Sequence, residues 1–91
     1  MKLVGTVFQI KVWKEIKKIP EGSVKTYKEI ADMIGKPKSS RAVANACGKN
    51  PYVPFIPCHR VIRSDGYLGG YSGFGGIKEK RKLLIKEGFS N

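Results

Sequence analysis

Residues 57–60 read Pro57-Cys58-His59-Arg60, a thiol placed behind a rigid proline ring and followed by the only histidine of the chain and by an arginine. Sulfur attacks as thiolate, and a neighbouring base or positive charge raises the thiolate fraction of a cysteine. The chemistry on offer is nucleophilic attack by Cys58. Adjacency in sequence does not make side chains face one another, and cysteine is among the most buried residue types, so the tetrapeptide alone reads better as an inert core position. A Cys-His hydrolase would want a histidine opposed in space and a third, orienting group, for which one adjacent His59 is a weak basis. With two cysteines, Cys47 and Cys58, one histidine and no Cys-x-x-Cys, a structural zinc site lacks ligands, and neither a metal nor a cofactor is expected.

Composition narrows the partners. Eighteen Lys and Arg against seven Asp and Glu give a formal charge of +11, an excess that favours a polyanion, with nucleic acid as the leading candidate. A solvated basic surface is the competing explanation, since a Lys and Arg excess also occurs in thermostable proteins. The 91 residues, 41% of them hydrophobic, suffice for one core, and one domain over residues 1–91 is expected. Apolar runs are only a few residues long, so no membrane span or secretory signal is expected. Free thiols in a reduced, cytoplasmic compartment follow, associated with the nucleoid if the source is prokaryotic.

The elements that must position Cys58 are mainly helical. Phe8, Val12, Ile16 and Ile19 fall near helical spacing behind a capping-box pair, Thr6 and Gln9, which predicts a helix over residues 7–18 ended by Pro20 and Gly22. A second box, Thr26 with Glu29, opens a helix over 27–34, after which Gly35 supplies a left-handed residue and Pro37 prevents continuation. Ser39 or Ser40 caps a third helix over 41–47, closed by Gly48. Two short helices around a tight turn make a helix-turn-helix pattern, for which an ordinary helical hairpin is the bland alternative. Ala42 with Ala46, beside Arg41 with Asn45, would let the third helix approach a nucleic-acid groove closely. Pro51, Pro54 and Pro57 then impose a rigid, extended, buried loop. Val61 and Ile62 read as a strand, and the turn Ser64-Asp65-Gly66 leads to Tyr67 and Leu68 as the other limb of a hairpin or wing. Six glycines between Gly66 and Gly76 could bring backbone against a ligand, although a flexible linker is the simpler explanation of glycine alone. A last helix, with Ile77, Leu83 and Leu84 apolar, covers 77–87.

Taken together, these motifs resemble the O6-alkylguanine-DNA alkyltransferases, also called methylated-DNA-protein-cysteine methyltransferases, through nearly the whole chain. The resemblance is carried by Gly5-Thr6-Val7-Phe8-Gln9 with Val12-Trp13, Ile19-Pro20-Glu21-Gly22, Thr26-Tyr27 with Ile30-Ala31, Arg41-Ala42-Val43, Asn50-Pro51, Ile56-Pro57-Cys58-His59-Arg60-Val61-Ile62 and Gly69-Gly70-Tyr71. It implies a winged helix-turn-helix domain that binds double-stranded DNA containing O6-alkylguanine, as a monomer, with its third helix in the minor groove. It further implies that Cys58 accepts the alkyl group once and irreversibly from a flipped base. On the matched positions, His59 paired with Glu87 draws off the thiol proton through a water, and Asn50 braces the helix-turn-helix against the active-site loop. Tyr27 bonds the ring nitrogen, the backbone of Ser72 reaches O6, the Val61 carbonyl accepts from the exocyclic amine, and Tyr71 walls the pocket. Arg41 is the finger that fills the vacated stack, with Ala42 and Asn45 on the DNA-facing helix.

Two departures accompany the resemblance. The family usually carries a further N-terminal domain, expected to be absent here, and the stretch from Tyr71 to Leu83 is slightly longer than the usual pattern. The nearest rival is a lesion sensor that shares the domain but binds without repairing, against which the presence of Cys58 argues; a more distant one is a winged-helix regulator that reads the major groove with an inert Cys58, disfavoured by the small residues of the third helix.

Overall fold

In a computed structural model of the protein, residues 3–53, 55–65, 68–69 and 76–88 are described. Among these residues, four helices, one 3-10 turn and two short strands make up the architecture, in the order α1 (Val7–Lys17), β1 (Lys25–Thr26), α2 (Tyr27–Met33), α3 (Ser40–Gly48), the 3-10 turn (Cys58–Arg60), β2 (Val61–Ile62) and α4 (Gly76–Lys86). The fold is mainly helical, as the sequence pattern requires.

Both capping boxes form reciprocally. The Thr6 hydroxyl accepts from Gln9 N at 3.0 Å while Gln9 Oε1 accepts from Thr6 N at 2.9 Å, and Thr26 with Glu29 repeats the arrangement at the same two distances. Each box satisfies donors that an open helix end leaves to water. Gly35, at φ +76°, ends the α2 segment in the left-handed region expected of it. The third helix is less orthodox. Ser39 is its N-cap residue but makes no side-chain capping bond, and Gly48 is its last helical residue, with Lys49 as the C-cap.

The main core gathers Val12, Trp13, Ile16 and Ile19 from α1 and the segment after it, Tyr27, Ile30 and Ala31 from α2, Val43, Ala46 and Cys47 from α3, and Ile56, Cys58 and Val61 from the later loop and strand. Trp13 ties α1 to α3 directly, since its indole N–H donates to the Ala46 carbonyl at 3.0 Å inside the core. Ala46 therefore faces inward, and the small-residue stripe expected to pair it with exposed Ala42 is not a surface feature. A second cluster of Ile62, Leu68 and Leu84, with Val24 against it, seats α4.

The strands form a parallel pair, with Lys25 opposite Val61 and Thr26 opposite Ile62. Val61 and Ile62 thus pair with the segment that leads into α2; of the expected second limb of a hairpin, Tyr67 lies outside the described residues and Leu68 is not in a strand but packs in the core. The pairing fixes the residue after Thr26, which is Tyr27, against the residues that follow Cys58. The proline-rich loop is turned more than extended: Ile56 N donates back to Tyr52 O at 2.9 Å, and Asn50 N to Cys47 O at 3.2 Å. Ile56 is fully buried while Phe55 stays 49% exposed beneath the Lys17 ammonium, 4.6 Å from its ring centre. No helix among the described residues is long and apolar enough to cross a membrane.

Candidate active site

Cys58 opens the 3-10 turn with its side chain in the core, 3% exposed. Asn50, the residue just beyond α3, reaches it: one amide donor, Nδ2, serves both the Ile56 carbonyl at 2.9 Å and Cys58 Sγ at 3.0 Å, while Oδ1 accepts from Tyr52 N at 2.8 Å. All of these bonds fix the Asn50 side chain, so its donor is aimed at the sulfur without freedom to turn away. The second neighbour is Cys47 from the last turn of α3, whose thiol is hydrogen-bonded to Cys58.

Two thiols sharing one hydrogen bond ionise unequally when one of them has further donors. The bond from Cys47 lowers the Cys58 pKa; burial opposes this, and the Asn50 amide and the Lys80 charge reinforce it, leaving Cys58 more acidic than an ordinary cysteine. Cys47, which donates to its partner and is itself buried, is pushed well above the usual range. Of the two sulfurs, Cys58 is the more readily ionised.

His59 and Arg60, next in the turn, both converge on Glu87 just past the end of α4. Glu87 Oε2 lies 2.8 Å from His59 Nε2, and Arg60 grips both carboxylate oxygens, Nε to Oε1 at 2.9 Å and Nη2 to Oε2 at 2.8 Å. Arg60 Nη1 also donates to the Ile19 carbonyl at 2.8 Å, anchoring the turn to the end of the α1 segment. The Arg60 bonds hold Glu87 well down, at a pKa of about 2, with His59 adding to the effect against partial burial. A carboxylate that is always ionised accepts, so His59 donates through Nε2, and Nδ1 is the nitrogen that keeps a lone pair in the neutral ring.

Tyr27, first residue of α2, is buried against the same centre. Burial raises its phenol above the usual range and the two thiols push in the same direction. A Cβ on Gly69 would stand 2.6 Å from the Tyr27 hydroxyl, and at φ +75° Gly69 occupies backbone space that side chains avoid, so glycine here lets the later loop close on the phenol. Tyr27 and Gly69 line a cleft of about 600 Å³ whose other walls are Ser40, Arg41, Ala44, Asn45 and Gly48 of α3 and Arg63, Ser64 and Asp65 after β2. The α3 residues recur at helical spacing, presenting one face. Arg41 and Asn45 are therefore in the cleft wall and Ala42 beside it on the exposed surface; Ala44 and Gly48 supply the small surface that the sequence reading gave to Ala42 and Ala46. Arg63 bonds Asp65 at 2.6 Å across the turn. Cys58 is not among the described residues of the wall. Tyr71 and Ser72 lie outside the described residues.

Two residues at this centre escaped the sequence reading. Cys47 reads as a small apolar residue of a short helix, and nothing in its neighbours announces a second sulfur at Cys58. Lys80 sits in a run rich in Lys and Arg that reads as a solvated face, yet it is fully buried. Its Nζ donates to the Val61 carbonyl at 2.7 Å and to the Tyr27 hydroxyl at 3.4 Å. The available signal was its spacing four residues before Leu84, which places both on one side of α4. Among the described residues no three His, Cys, Asp or Glu side chains gather in a way that could hold a metal ion.

Residues 7–89 match the model of the 6-O-methylguanine DNA methyltransferase DNA-binding domain. The chain belongs to this family. The methylated-DNA-protein-cysteine methyltransferase of Mycobacterium tuberculosis is 51% identical over 87 residues, 96% of this chain and 52% of that protein. A crystal structure of M. tuberculosis OGT in complex with DNA superimposes with a TM-score of 0.89 at 51% identity, over 94% of this chain and 52% of that one. The S. pombe protein Atl1, in complex with damaged DNA containing O6-carboxymethylguanine, superimposes with a TM-score of 0.83 at 32% identity, over 97% of this chain and 82% of that one. The chain spans about half or less of the length of the curated relatives it matches.

Proposed function

We propose that the chain binds double-stranded DNA containing O6-alkylguanine, rotates the damaged nucleotide out of the helix, and takes the alkyl group irreversibly onto Cys58. The observation that carries this reading is the acidified Cys58 sulfur, held by Asn50 and Cys47 next to Tyr27, which itself lines a cleft walled by the Arg41 and Asn45 face of α3.

In the reaction, thiolate attacks the carbon attached to O6, a carbon–sulfur bond forms, the carbon–oxygen bond breaks, and its electron pair stays on the guanine. His59, oriented by Glu87, takes the thiol proton through a water. The negative charge left on the base needs donors, which Tyr27 supplies at the ring nitrogen and the Ser72 backbone at O6, while the Val61 carbonyl accepts from the exocyclic amine and Tyr71 closes the pocket. Asn50 holds the sulfur and braces α3 against the loop. Arg41 fills the stack behind the flipped nucleotide, with Ala42 and Asn45 against the groove. A thioether is a poor leaving group, so each molecule reacts once. This work would take place in the cytoplasm, at the nucleoid if the source is prokaryotic.

A second reading, a sensor that holds the lesion without repairing it, is favoured by the near-complete burial of Cys58 and by its absence from the described wall of the cleft. Incubation with a duplex containing one O6-methylguanine, followed by intact mass measurement, separates the two. The expected result is a gain of one methyl group mapped to the peptide containing Cys58, lost in Cys58→Ala although that variant still binds the duplex. Unmodified protein bound tightly to the lesion would establish the sensor instead.

A further inference from the structure

Lys80 is a cation with none of its surface in water. Burying an ammonium costs several kcal/mol unless donors and acceptors are well matched, and an apolar side chain of the same length would fill the volume without that cost. Its placement therefore calls for an account of what the charge does there. The groups that face it come from three elements: the Cys47 thiol of α3, the Cys58 thiol of the 3-10 turn, and the Tyr27 phenol of α2, whose ring centre lies 5.7 Å from Nζ. Its Nζ donates to the Val61 carbonyl at 2.7 Å and to the Tyr27 hydroxyl at 3.4 Å.

The geometry points to Lys80 as a positioning residue that sets the direction of the Tyr27 hydroxyl hydrogen and so makes Tyr27 a donor to the purine in the cleft. This rests on the reading of the site as one that receives O6-alkylguanine. The argument is one of donor and acceptor inventory. An ammonium has three N–H donors and no lone pair, so in its contact with Tyr27 the phenol oxygen must accept. The phenol's own hydrogen then points away from Lys80, toward the cleft that Tyr27 lines. Uncharged, the same amine would offer a lone pair to that hydrogen and turn it inward. The bond to Val61 has a parallel effect: it fixes one lone pair of that carbonyl and leaves the other for the exocyclic amine of the base. One nitrogen thereby organises a donor and an acceptor that a guanine edge would meet together.

The test compares single-turnover transfer to the full chain from duplexes carrying O6-methylguanine or its 3-deaza analogue, which has a carbon in place of the ring nitrogen. The informative quantity is the ratio of the two rates, because a change that affects the thiol or the stability alters both substrates alike. The wild-type protein should prefer the nitrogen-containing base by tenfold or more, and Tyr27→Phe should bring the ratio near one. Lys80→Met should do the same, with no further fall in the double variant. An unchanged ratio in Lys80→Met, whatever the absolute rates, would overturn the proposal, as would a wild-type ratio near one. The wild-type protein supplies a second measurement that needs no folded variant. Burial brings the Lys80 pKa to about 8, so the ratio should fall as pH is raised from 7 to 9.5, and a flat ratio would contradict the role. Absence of transfer from either substrate would instead be a failure of the function proposed above.

Discussion

At the scale of single residues, the site is a set of unequal competitions for protons. Cys58 wins the shared hydrogen bond with Cys47 because Asn50 adds a second donor on its side. Glu87 stays ionised because three nitrogen donors of Arg60 and His59 converge on its two oxygens. That second competition has a consequence for stability. The Glu87 pKa lies near 2 when folded against an ordinary value of 4.5, so its contribution is fully present above pH 4.5 and is lost as pH falls toward 2. The contribution is on the order of 3 kcal/mol at neutral pH, since each unit of displacement corresponds to about 1.4 kcal/mol. Denaturant unfolding of the wild type and of Glu87→Gln at pH 7, 5 and 3 should show the variant weaker at pH 7 and 5, with the gap narrowed by about half at pH 3. A constant gap across that range would mean the carboxylate charge is not what Arg60 and His59 hold. The chemistry-bearing residues of this centre were legible as a motif, because Cys58, His59 and Arg60 are contiguous. Their partners were legible only through resemblance, in the case of Asn50 and Glu87, or not at all. No local rule marks Cys47, 11 residues earlier on a different element, as the neighbour of Cys58.

At the scale of elements, what could be read from sequence is what is settled locally. Capping boxes are decided within four residues, and both expected boxes form with the expected partners. Ser39 shows the limit, since it sits at an N-cap position without making the side-chain bond, so residue type gave the place of the helix and not its chemistry. The parallel pairing of β1 with β2 joins two-residue strands separated by the whole of α2 and α3, too short for a period and too distant for a turn signal. Lys80 was hidden for the opposite reason: helical periodicity assigns charged residues outward, and only tertiary packing turns this one in. The box at Thr26 matters more to function than its twin at Thr6, because the first residue it fixes is Tyr27. Removing either hydroxyl costs about 1 kcal/mol of stability, within the usual range for N-cap threonine. Thr26→Ala and Thr6→Ala should therefore lower the urea midpoint by similar amounts, while only Thr26→Ala slows methyl transfer beyond its loss of folded protein. Equal transfer rates per folded molecule in the two variants would separate the α2 cap from the placement of Tyr27.

At the scale of the whole molecule, the formal charge of +11 and the cleft have to be considered together. Charge alone supplies affinity without position: each cation that neutralises a phosphate releases a counterion, and binding weakens as salt rises with a slope set by the number of such contacts. The cleft supplies position without much charge, since its cationic wall residues are Arg41 and Arg63, and Arg63 is bonded to Asp65. If Arg41 were only one more phosphate contact, Arg41→Ala would lower the magnitude of the salt slope by about one and slow transfer from duplex DNA in proportion to lost binding. The finger role makes a different demand. A side chain that replaces a flipped nucleotide acts only when there is a stack to fill, so its loss penalises the duplex and spares a substrate with no stack. Transfer from duplex O6-methylguanine at saturating protein should therefore fall tenfold or more in Arg41→Ala, while transfer from the free alkylated base changes little. Saturation removes the contribution of affinity, leaving the flipping step alone in the comparison. Equal losses on the two substrates would return Arg41 to the general basic surface, and the cleft would then owe its selectivity to Tyr27 on its wall and Lys80 buried behind it.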